Sequence, residues 1–201
     1  MTQVYAEDPS PLYKARMIQT ADFVLRDMQR PEGGFGATYD ADSLDEDGHA
    51  EEGIYYTWTV EEVRKVLGDD APFFCLSYDV EEGGNFEGRA ILNRLAVRDD
   101  FDDPEDAALA PLRARLTSAR NWRPAPGYDD KVLADWNGLM ITALAQVGMV
   151  LDRDDYSQAA IRAYDFIVGT LADGTRLTHA WRDGRTAGNV VISDYANMIR
   201  A

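Results

Sequence analysis

The chain has 201 residues, of which 45% are apolar, so it is long enough to bury one substantial core. Its 36 acidic and 20 basic residues give a net charge of −16, and a surface of that sign repels nucleic-acid phosphates and anionic lipid. We therefore predict neither a nucleic-acid partner nor a membrane partner, and no apolar stretch is long enough to span a bilayer.

The first predicted helix lies near the start of the chain. Apolar residues recur every three or four positions over residues 12–28, which is the spacing of one helical face. Ser10 and Pro11 supply an N-cap and a first-turn proline, so the helix is expected to begin there. Its end is expected near Arg30, because a proline and two glycines follow soon after.

Two further helices are predicted in the middle of the chain. Residues 59–62 form a capping-box pattern that opens a short helix, and Gly68 ends it. Asp103 and Pro104 begin the second of these helices. Its apolar stripe is predicted to consist of Ala108, Leu112 and Leu116.

The most apolar helix follows. From Trp136 to Leu151 the apolar residues cover more than one face, so this helix is expected to lie between neighbours. A second capping-box pattern at 155–158 opens the next helix, which residues 173–174 end. The last predicted helix begins at 193–194.

Signals for β-strands are few and short. Residues 34–39 and 54–58 are expected to form a small hairpin joined by an acidic loop. Residues 176–181 alternate and are predicted as one strand, which would place His179 on the same face as Leu177 and Trp181. Helices separated by such β-bearing loops favour an array of α/α hairpins over an up-down bundle. The sequence therefore predicts a mainly α protein.

The cysteine content indicates the redox environment. Cys75 is the one cysteine, so an internal disulfide is excluded and a reducing compartment fits. The first ten residues show no signal-peptide pattern, and we predict a cytoplasmic protein. The neighbours of Cys75 are apolar, which favours a buried, inert thiol over a nucleophile.

Acidic residues form two clusters, 40–52 and 99–106, which are expected to be solvated loops. The first cluster does not fit the EF-hand spacing in any register, although calcium binding of another kind stays open as a weaker alternative. His49 and His179 are remote in sequence, so no metal site is predicted. The chain has no nucleotide-binding glycine motif, and no cofactor is predicted.

A set of carboxylate and aromatic side chains is the best candidate for chemistry. Sugar-processing sites combine two carboxyl groups, acting as acid and as base or nucleophile, with aromatic faces and amides. The residues of these types are Asp40, Asp42, Glu87, Asp135 and Asp194, with Phe35, Tyr39, Tyr56, Trp58, Trp136, Trp181 and Tyr195, and with Asn85, Asn93 and Asn137. An aspartate just ahead of a helix, such as Asp135 or Asp194, is equally expected as a cap or first-turn residue. His179 could act as a general base, with a half-buried structural histidine as the alternative.

Several motifs of the chain resemble one known family. In chain order they are PEGGF at 31–35, DADS at 40–43, EEG at 51–53, YTW at 56–58, GN at 84–85, ILN at 91–93, DDKVL at 129–133, DWNGL at 135–139 and DYA at 194–196. These motifs resemble the thioredoxin domain-containing family known as DUF255, whose members include YyaL-like bacterial proteins and spermatogenesis-associated protein 20. The resemblance covers nearly the whole chain.

The resemblance implies an N-terminal thioredoxin-like domain followed by an (α/α)6 toroid, similar to six-hairpin glycosidases and N-acylglucosamine 2-epimerases. Residues 1–201 would be a fragment of that toroid without the thioredoxin-like domain, and would hold too few hairpins to close a ring. Tyr39 stands where family members commonly carry an acid. The similar epimerases use histidines on inner helices, whereas His179 lies on a predicted strand, so the resemblance does not carry epimerase activity over.

The leading hypothesis is a domain that binds or processes a carbohydrate-type ligand, with Asp42 and Asp135 as the catalytic acid and base. Any catalysis would be of the glycoside hydrolase or sugar epimerase kind. The predicted ligand-binding residues are Asp40, Trp58, Asn85, Trp136, Asn137, His179 and Asp194. The alternative is a non-catalytic scaffold or interaction module for an upstream thioredoxin-like domain. Apolar surface left uncovered in a fragment also predicts self-association.

Overall fold

The helices and strands are taken from a computed structural model that describes residues 1–45, 47–95 and 104–201. The helices are α1 (Thr2–Glu7), α2 (Pro11–Phe23), α3 (Val60–Leu67), α4 (Ala71–Tyr78), α5 (Pro104–Arg120), α6 (Ala134–Leu151), α7 (Asp154–Leu171) and α8 (Ile192–Arg200). The strands are β1 (Thr38–Tyr39), β2 (Asp42–Leu44), β3 (Ala50–Glu52), β4 (Tyr128–Asp129), β5 (Val132–Leu133), β6 (Ala172–Asp173), β7 (Arg176–Leu177), β8 (Ala180–Arg182) and β9 (Arg185–Ala187). The prediction of a mainly α protein is confirmed.

The chain divides into two compact units. The first unit contains residues 1–38 and 128–201, and the second contains residues 39–127. The assignment of residues 1–201 to one toroid domain stays a prediction. Glu46 of the first acidic cluster, residues 99–103 of the second, and the predicted helix start at Asp103 lie outside the described residues.

Several helix ends follow the local signals. Helix α2 begins at Pro11 as predicted, and its last turn, Val24–Met28, is π-helical. The capping box that opens α3 is confirmed, because the Thr59 hydroxyl accepts the N–H of Glu62 and the Glu62 carboxylate accepts the N–H of Thr59. Gly68 then ends α3 in a conformation with positive φ.

Other helix predictions are wrong by one or two residues. Helix α7 begins at Asp154 with no side-chain cap, and α8 begins at Ile192, which makes Asp194 its third residue. The buried stripe of α5 consists of Leu109, Leu112 and Leu116, whereas Ala108 is exposed. A small alanine next to a leucine leaves the register of a stripe ambiguous, and packing selects the larger side chain.

Both strand predictions hold only in part, because residues 38–39, 176–177 and 180–181 are in strands but the strand lengths and pairings differ from those predicted. The hairpin forms inside the acidic loop itself, where β2 and β3 pair antiparallel with Asp42 opposite Glu52. Residues 54–57 are not a strand, and Trp58 instead exchanges two backbone hydrogen bonds with Ala90. Residues 176–181 break into β7, which pairs with β6, and β8, which pairs with β5 and β9. His179 lies at the break between β7 and β8.

Helix α6 is the centre of the first unit. It packs against α7 and α8 and also contacts α1 and α2, which confirms that it lies between neighbours. The backbones of α6 and α8 approach closely, since a Cβ on Gly138 would lie 2.6 Å from the carbonyl carbon of Asn197. The core here includes Met17, Phe35, Ile141, Leu144, Tyr156, Ile167, Trp181 and Met198.

The second unit packs α3, α4 and α5 around a core that includes Val63, Leu67, Phe74 and Leu109. Helix α4 was missed in the sequence because its eight residues are apolar on nearly all sides and show no helical stripe. Cys75 lies on it and is half-buried, and burial raises the pKa of its thiol. Among the residues that the structure describes, no helix has the length and apolarity needed to cross a bilayer.

Candidate functional site

The predicted site residues are divided between the two units. Asp40, Asp42, Trp58 and Asn85 belong to the second unit, and Asp135, Trp136, Asn137, His179 and Asp194 belong to the first. The pairing of Asp42 with Asp135 as catalytic acid and base stays a prediction.

In the second unit, Asp40 and Asp42 are exposed neighbours in the acidic loop. The carboxylate of Asp40 accepts the N–H of Asp42 at 3.2 Å. A few residues on, the Asp45 carboxylate accepts the N–H groups of Asp47 and His49. The hydrogen bond from the His49 N–H is the main cause that lowers the pKa of Asp45. These are the hydrogen bonds of a turn that an aspartate side chain closes on itself. Calcium binding by this loop stays a prediction.

Trp58 and Asn85 have structural contacts in the second unit. Trp58 is buried, and the guanidinium of Arg123 lies 4.0 Å from the centre of its ring. The amide of Asn85 holds the backbone of Ile91, accepting its N–H at 2.8 Å and donating to its carbonyl oxygen at 3.1 Å. The ligand-binding role proposed for both side chains stays a prediction.

In the first unit, Asn137 holds the glycine-rich segment 33–36 against α6. Its side-chain oxygen accepts the N–H of Phe35 at 2.8 Å, and its amide nitrogen donates to the carbonyl oxygens of Phe35 and Leu133. Both amide hydrogens are therefore engaged by backbone groups. Asn137 is 2% exposed, so these bonds satisfy buried polar atoms. The geometry supports a structural role, and the predicted role in ligand binding stays a prediction.

The glycines of this segment are required by close packing. A Cβ on Gly34 would lie 2.9 Å from the Phe166 ring, and one on Gly36 would lie 2.0 Å from the hydroxyl oxygen of Tyr128. That hydroxyl donates to the carbonyl oxygen of Met28 at 2.9 Å. Because the glycines of the PEGGF motif and Gly36 have no side chain, the backbone of this segment can lie directly against Phe166 and Tyr128.

The DDKVL motif is held by an arginine that follows the π-helical last turn of α2. The Arg30 guanidinium donates to the backbone carbonyl oxygen of Asp130 at 2.9 Å and to its carboxylate. The bond from Arg30 holds the pKa of Asp130 below its ordinary value. Arg30 also lies 5.3 Å from the centre of the buried Trp181 ring. The motif residue Asp130 is therefore part of an anchored ion pair.

Asp135, His179 and Asp194 come together in the first unit. Asp194 is fully buried, and its carboxylate accepts three N–H groups, from Val191 at 2.8 Å, from Asp135 at 3.1 Å and from Nδ1 of His179 at 2.9 Å. The Val191 amide directly precedes the first turn of α8, and the Asp135 amide lies in the first turn of α6. Asp194 thus ties the starts of two helices to the histidine.

The Asp135 carboxylate lies at the edge of this cluster. It accepts the N–H of Trp136 at 2.8 Å and the hydroxyl of Ser193 at 3.2 Å. Trp136 follows on α6 and is 50% exposed. Asp135 and Asp194 are therefore first-turn residues, which the sequence left open beside a catalytic role.

The arrangement fixes the state of the His179 ring. Because the buried Asp194 carboxylate accepts a hydrogen bond from Nδ1, the neutral ring carries its proton there and leaves a lone pair on Nε2. Within the described residues no hydrogen bond engages Nε2, and the His179 side chain is 29% exposed. A carboxylate that orients an imidazole in this way is suited to general acid or base chemistry at the free nitrogen.

These three side chains could also ligate a divalent cation, since one ligand atom from each lies within 4.8 Å of the others. The Asp194 oxygens, however, already accept three hydrogen bonds, two of them from backbone amides that cannot move away. The hydrogen bond between His179 and Asp194 accounts for the short distance between these side chains without an ion. Sequence reasoning named His179 and Asp194 separately and missed both their pairing and the contribution of Ser193, since no motif spans the 15 positions between the pair.

Comparisons with known proteins identify relatives of the chain. Human spermatogenesis-associated protein 20 is 32% identical over 75% of this chain, and the mouse protein of that name is 30% identical over 89% of it. An uncharacterized protein of Caenorhabditis elegans is 28% identical over 88% of the chain. The chain spans 23%, 27% and 29% of the lengths of these three relatives, respectively. No family model matches it.

Proposed function

Since the chain is homologous to a segment of spermatogenesis-associated protein 20, we propose that it belongs to the DUF255 thioredoxin domain-containing family and that its first unit binds a carbohydrate-type ligand. In this proposal the ligand lies at the cluster of Asp135, His179 and Asp194. The helices are hairpins of an α/α toroid, and the protein acts in the cytoplasm.

The observation that carries the proposal is the orientation of His179 by a buried carboxylate. Asp194 holds Nδ1 at 2.9 Å, and Nε2 has no hydrogen-bond partner among the described residues. Nε2 would accept a proton from a ligand hydroxyl or from an acidic C–H, and Asp194 would stabilise the imidazolium that forms. The proton then returns from Nε2 to the ligand or passes to water.

The neighbouring residues supply the other contacts that a sugar needs. The Asp135 carboxylate accepts one hydroxyl already, from Ser193, and could accept a ligand hydroxyl as well. The half-exposed indole of Trp136 offers an apolar face for the C–H surface of a pyranose ring. Proton transfer by an imidazole fits the sugar epimerase kind of reaction better than hydrolysis by two carboxyl groups.

The proposal is tested by saturation-transfer NMR on the chain with a panel of mono- and disaccharides. We expect transfer to at least one saccharide, and loss of that transfer in His179→Gln. The matched control is His49→Gln, because His49 is the other histidine and is exposed in the second unit. Absence of transfer to every saccharide, or equal loss in both variants, would overturn the proposal.

The rival proposal is a non-catalytic scaffold or interaction module for a thioredoxin-like domain. The observation that favours it is that the polar groups of Asn137 and Asp194 are already occupied by backbone partners. Under this proposal, His179→Gln does not change the saturation transfer to any saccharide and lowers only the melting temperature of the chain. The same NMR experiment, combined with thermal unfolding of the two histidine variants, therefore separates the two proposals.

A further inference from the structure

A small cavity lies where three segments of the first unit meet. Its volume is about 120 Å³, and it lies among the π-helical turn Val24–Met28, the glycine-rich segment and the start of α6. The side chains that matter for its chemistry are Val24, Met28, Phe35, Leu133, Trp136 and Met140. None of them is charged.

The backbone and amide groups beside the cavity are hydrogen-bonded to one another. The Gly36 N–H donates to the carbonyl oxygen of Met28 at 3.0 Å. The Asn137 amide is bonded to Phe35 and to Leu133, as described above. A ligand in this cavity would therefore find apolar side chains and backbone groups that already have partners, which excludes a ligand that depends on hydrogen bonds or charge.

The backbone around the cavity has an uncommon shape. The π-helical turn is closed by a bond from the Gln29 N–H to the carbonyl oxygen of Val24 at 3.0 Å, five residues earlier. Turns of this kind are rare within helices and are frequent at functional sites. Here the turn contributes Val24 and Met28 to the cavity wall, and Gly36 contributes backbone without a side chain.

Trp136 lines the cavity and is also 50% exposed, so part of its side chain faces solvent. Met28 and Met140 are flexible and polarisable, and such side chains adapt to a flat ring and contact it favourably through sulfur. A dry apolar cavity of about 150 Å³ accommodates benzene. The cavity here, at about 120 Å³, is slightly smaller and suits at most one six-membered ring.

We propose that this cavity binds an uncharged aromatic ring, either as a free small molecule or as the aromatic end of a larger ligand, stacked against Trp136. The assignment shares Trp136 with the carbohydrate proposal, but it does not use His179 or Asp135. An aromatic ring is favoured over a sugar ring because every hydroxyl of a sugar would lose its partners on entering the cavity.

The test uses the chain labelled with 13C at its methionine methyl groups and benzene as the probe. Binding in the cavity shifts the methyl resonances of Met28 and Met140. Met149 is 74% exposed and lies outside the cavity, so its methyl group serves as the internal control. A titration that moves the Met149 methyl alone, or that moves no methyl group, would overturn the assignment.

Two substitutions make the test specific. Trp136→Ala removes the stacking face and is expected to weaken benzene binding about tenfold or more, whereas Trp122→Ala removes a 91% exposed indole of the second unit and should leave binding unchanged. Ala37 also lines the cavity, and Ala37→Leu is expected to fill it and abolish binding. Thermal unfolding of each variant verifies that it is folded. Folded Trp136→Ala and Ala37→Leu variants that both bind benzene like the unmodified chain would contradict the proposal.

Discussion

Two asparagines make the same kind of backbone clamp in different surroundings. The Asn137 side chain bonds the N–H and carbonyl oxygen of Phe35, and the Asn85 side chain bonds the same two groups of Ile91. Asn137 is buried and Asn85 is exposed. Because water can replace a lost partner only at the exposed site, the two clamps should differ in their contribution to stability.

We predict that Asn137→Ala lowers the free energy of unfolding by about 3 kcal/mol, because it leaves the backbone groups of Phe35 and a carbonyl oxygen buried without partners. The matched change Asn85→Ala should cost less than about 1 kcal/mol. Urea unfolding followed by circular dichroism measures both values. Equal losses in the two variants would show that burial does not set the cost.

At this scale the sequence identified residues better than it identified their roles. It named Asp135, Asn137, His179 and Asp194, and it left capping and catalysis open for the aspartates. The clamp of Asn137 on Phe35 joins residues 102 positions apart, and the Asp194 bond to the Asp135 amide joins residues 59 apart. Contacts of such sequence separation leave no periodic signal, so only the folded chain reveals them.

Among the structural elements, the glycine-rich segment has the tightest packing requirement. We predict that Gly36→Ala destabilises the chain by about 1–3 kcal/mol, because the new methyl group would force the Tyr128 ring away and break its bond to Met28. The control is Gly169→Ala in α7, where no atom lies within 4 Å of the added methyl group. That change should stabilise the helix by up to about 1 kcal/mol. A neutral effect of Gly36→Ala in the same thermal unfolding series would contradict the packing argument.

The capping box of α3 predicts a pH dependence of stability. Burial alone would raise the pKa of Glu62, but hydrogen bonds from Arg89 and Thr59 and the charges of Arg123 and Arg89 outweigh it and lower the pKa below its ordinary 4.5. A carboxyl group whose pKa is lower in the folded state stabilises the fold above its ordinary pKa. That stabilisation is lost as the pH falls from there through the folded value.

We therefore expect Glu62→Gln to lower the melting temperature at pH 7, and to have progressively less effect as the pH falls below the ordinary pKa and Glu62 itself becomes protonated. Glu61 is an exposed residue of the same turn, so Glu61→Gln is the matched control and should leave the pH profile unchanged. Melting temperatures measured between pH 3 and pH 7 decide the question. If the melting temperatures of the unmodified protein and of the Glu62→Gln variant changed in parallel with pH, the pH dependence would not come from Glu62.

Helices were predicted more accurately than strands, for a physical reason. The start of α3 depends on Thr59 and Glu62, which lie three residues apart, and a sequence window contains both. Strands β5 and β8 are two and three residues long, and the partners Val132 and Trp181 lie far apart in the chain. Such short strands exist only because the tertiary fold brings them together, and no local pattern specifies them.

For the whole molecule, the distribution of charge and apolar surface predicts self-association. A groove of about 830 Å³ lies between α6, α7 and α8, and none of the described residues that line it carries a charged side chain. Ile199 lines this groove and is 84% exposed, so it can insert into the same groove of a second copy. The net charge of −16 opposes this contact, and salt should strengthen it by screening.

We expect light scattering to show dimers at high protein concentration and moderate salt, and monomers for Ile199→Asp. Ile192→Asp is the matched control, because Ile192 is 86% exposed on the same helix and does not line the groove. A monodisperse monomer of the unmodified chain under all conditions would contradict the prediction, as would equal disruption by both substitutions.

In the proposed function, Nε2 of His179, oriented by Asp194, meets a carbohydrate-type ligand. The most direct measurement is the 15N spectrum of the two imidazole rings, with and without the saccharide that gives the strongest saturation transfer. We predict a His179 ring protonated at Nδ1 whose Nε2 resonance moves when the saccharide is added, while that of His49 stays in place. A His179 ring protonated at Nε2, or an Nε2 resonance that does not move at saturating saccharide, would contradict the claim.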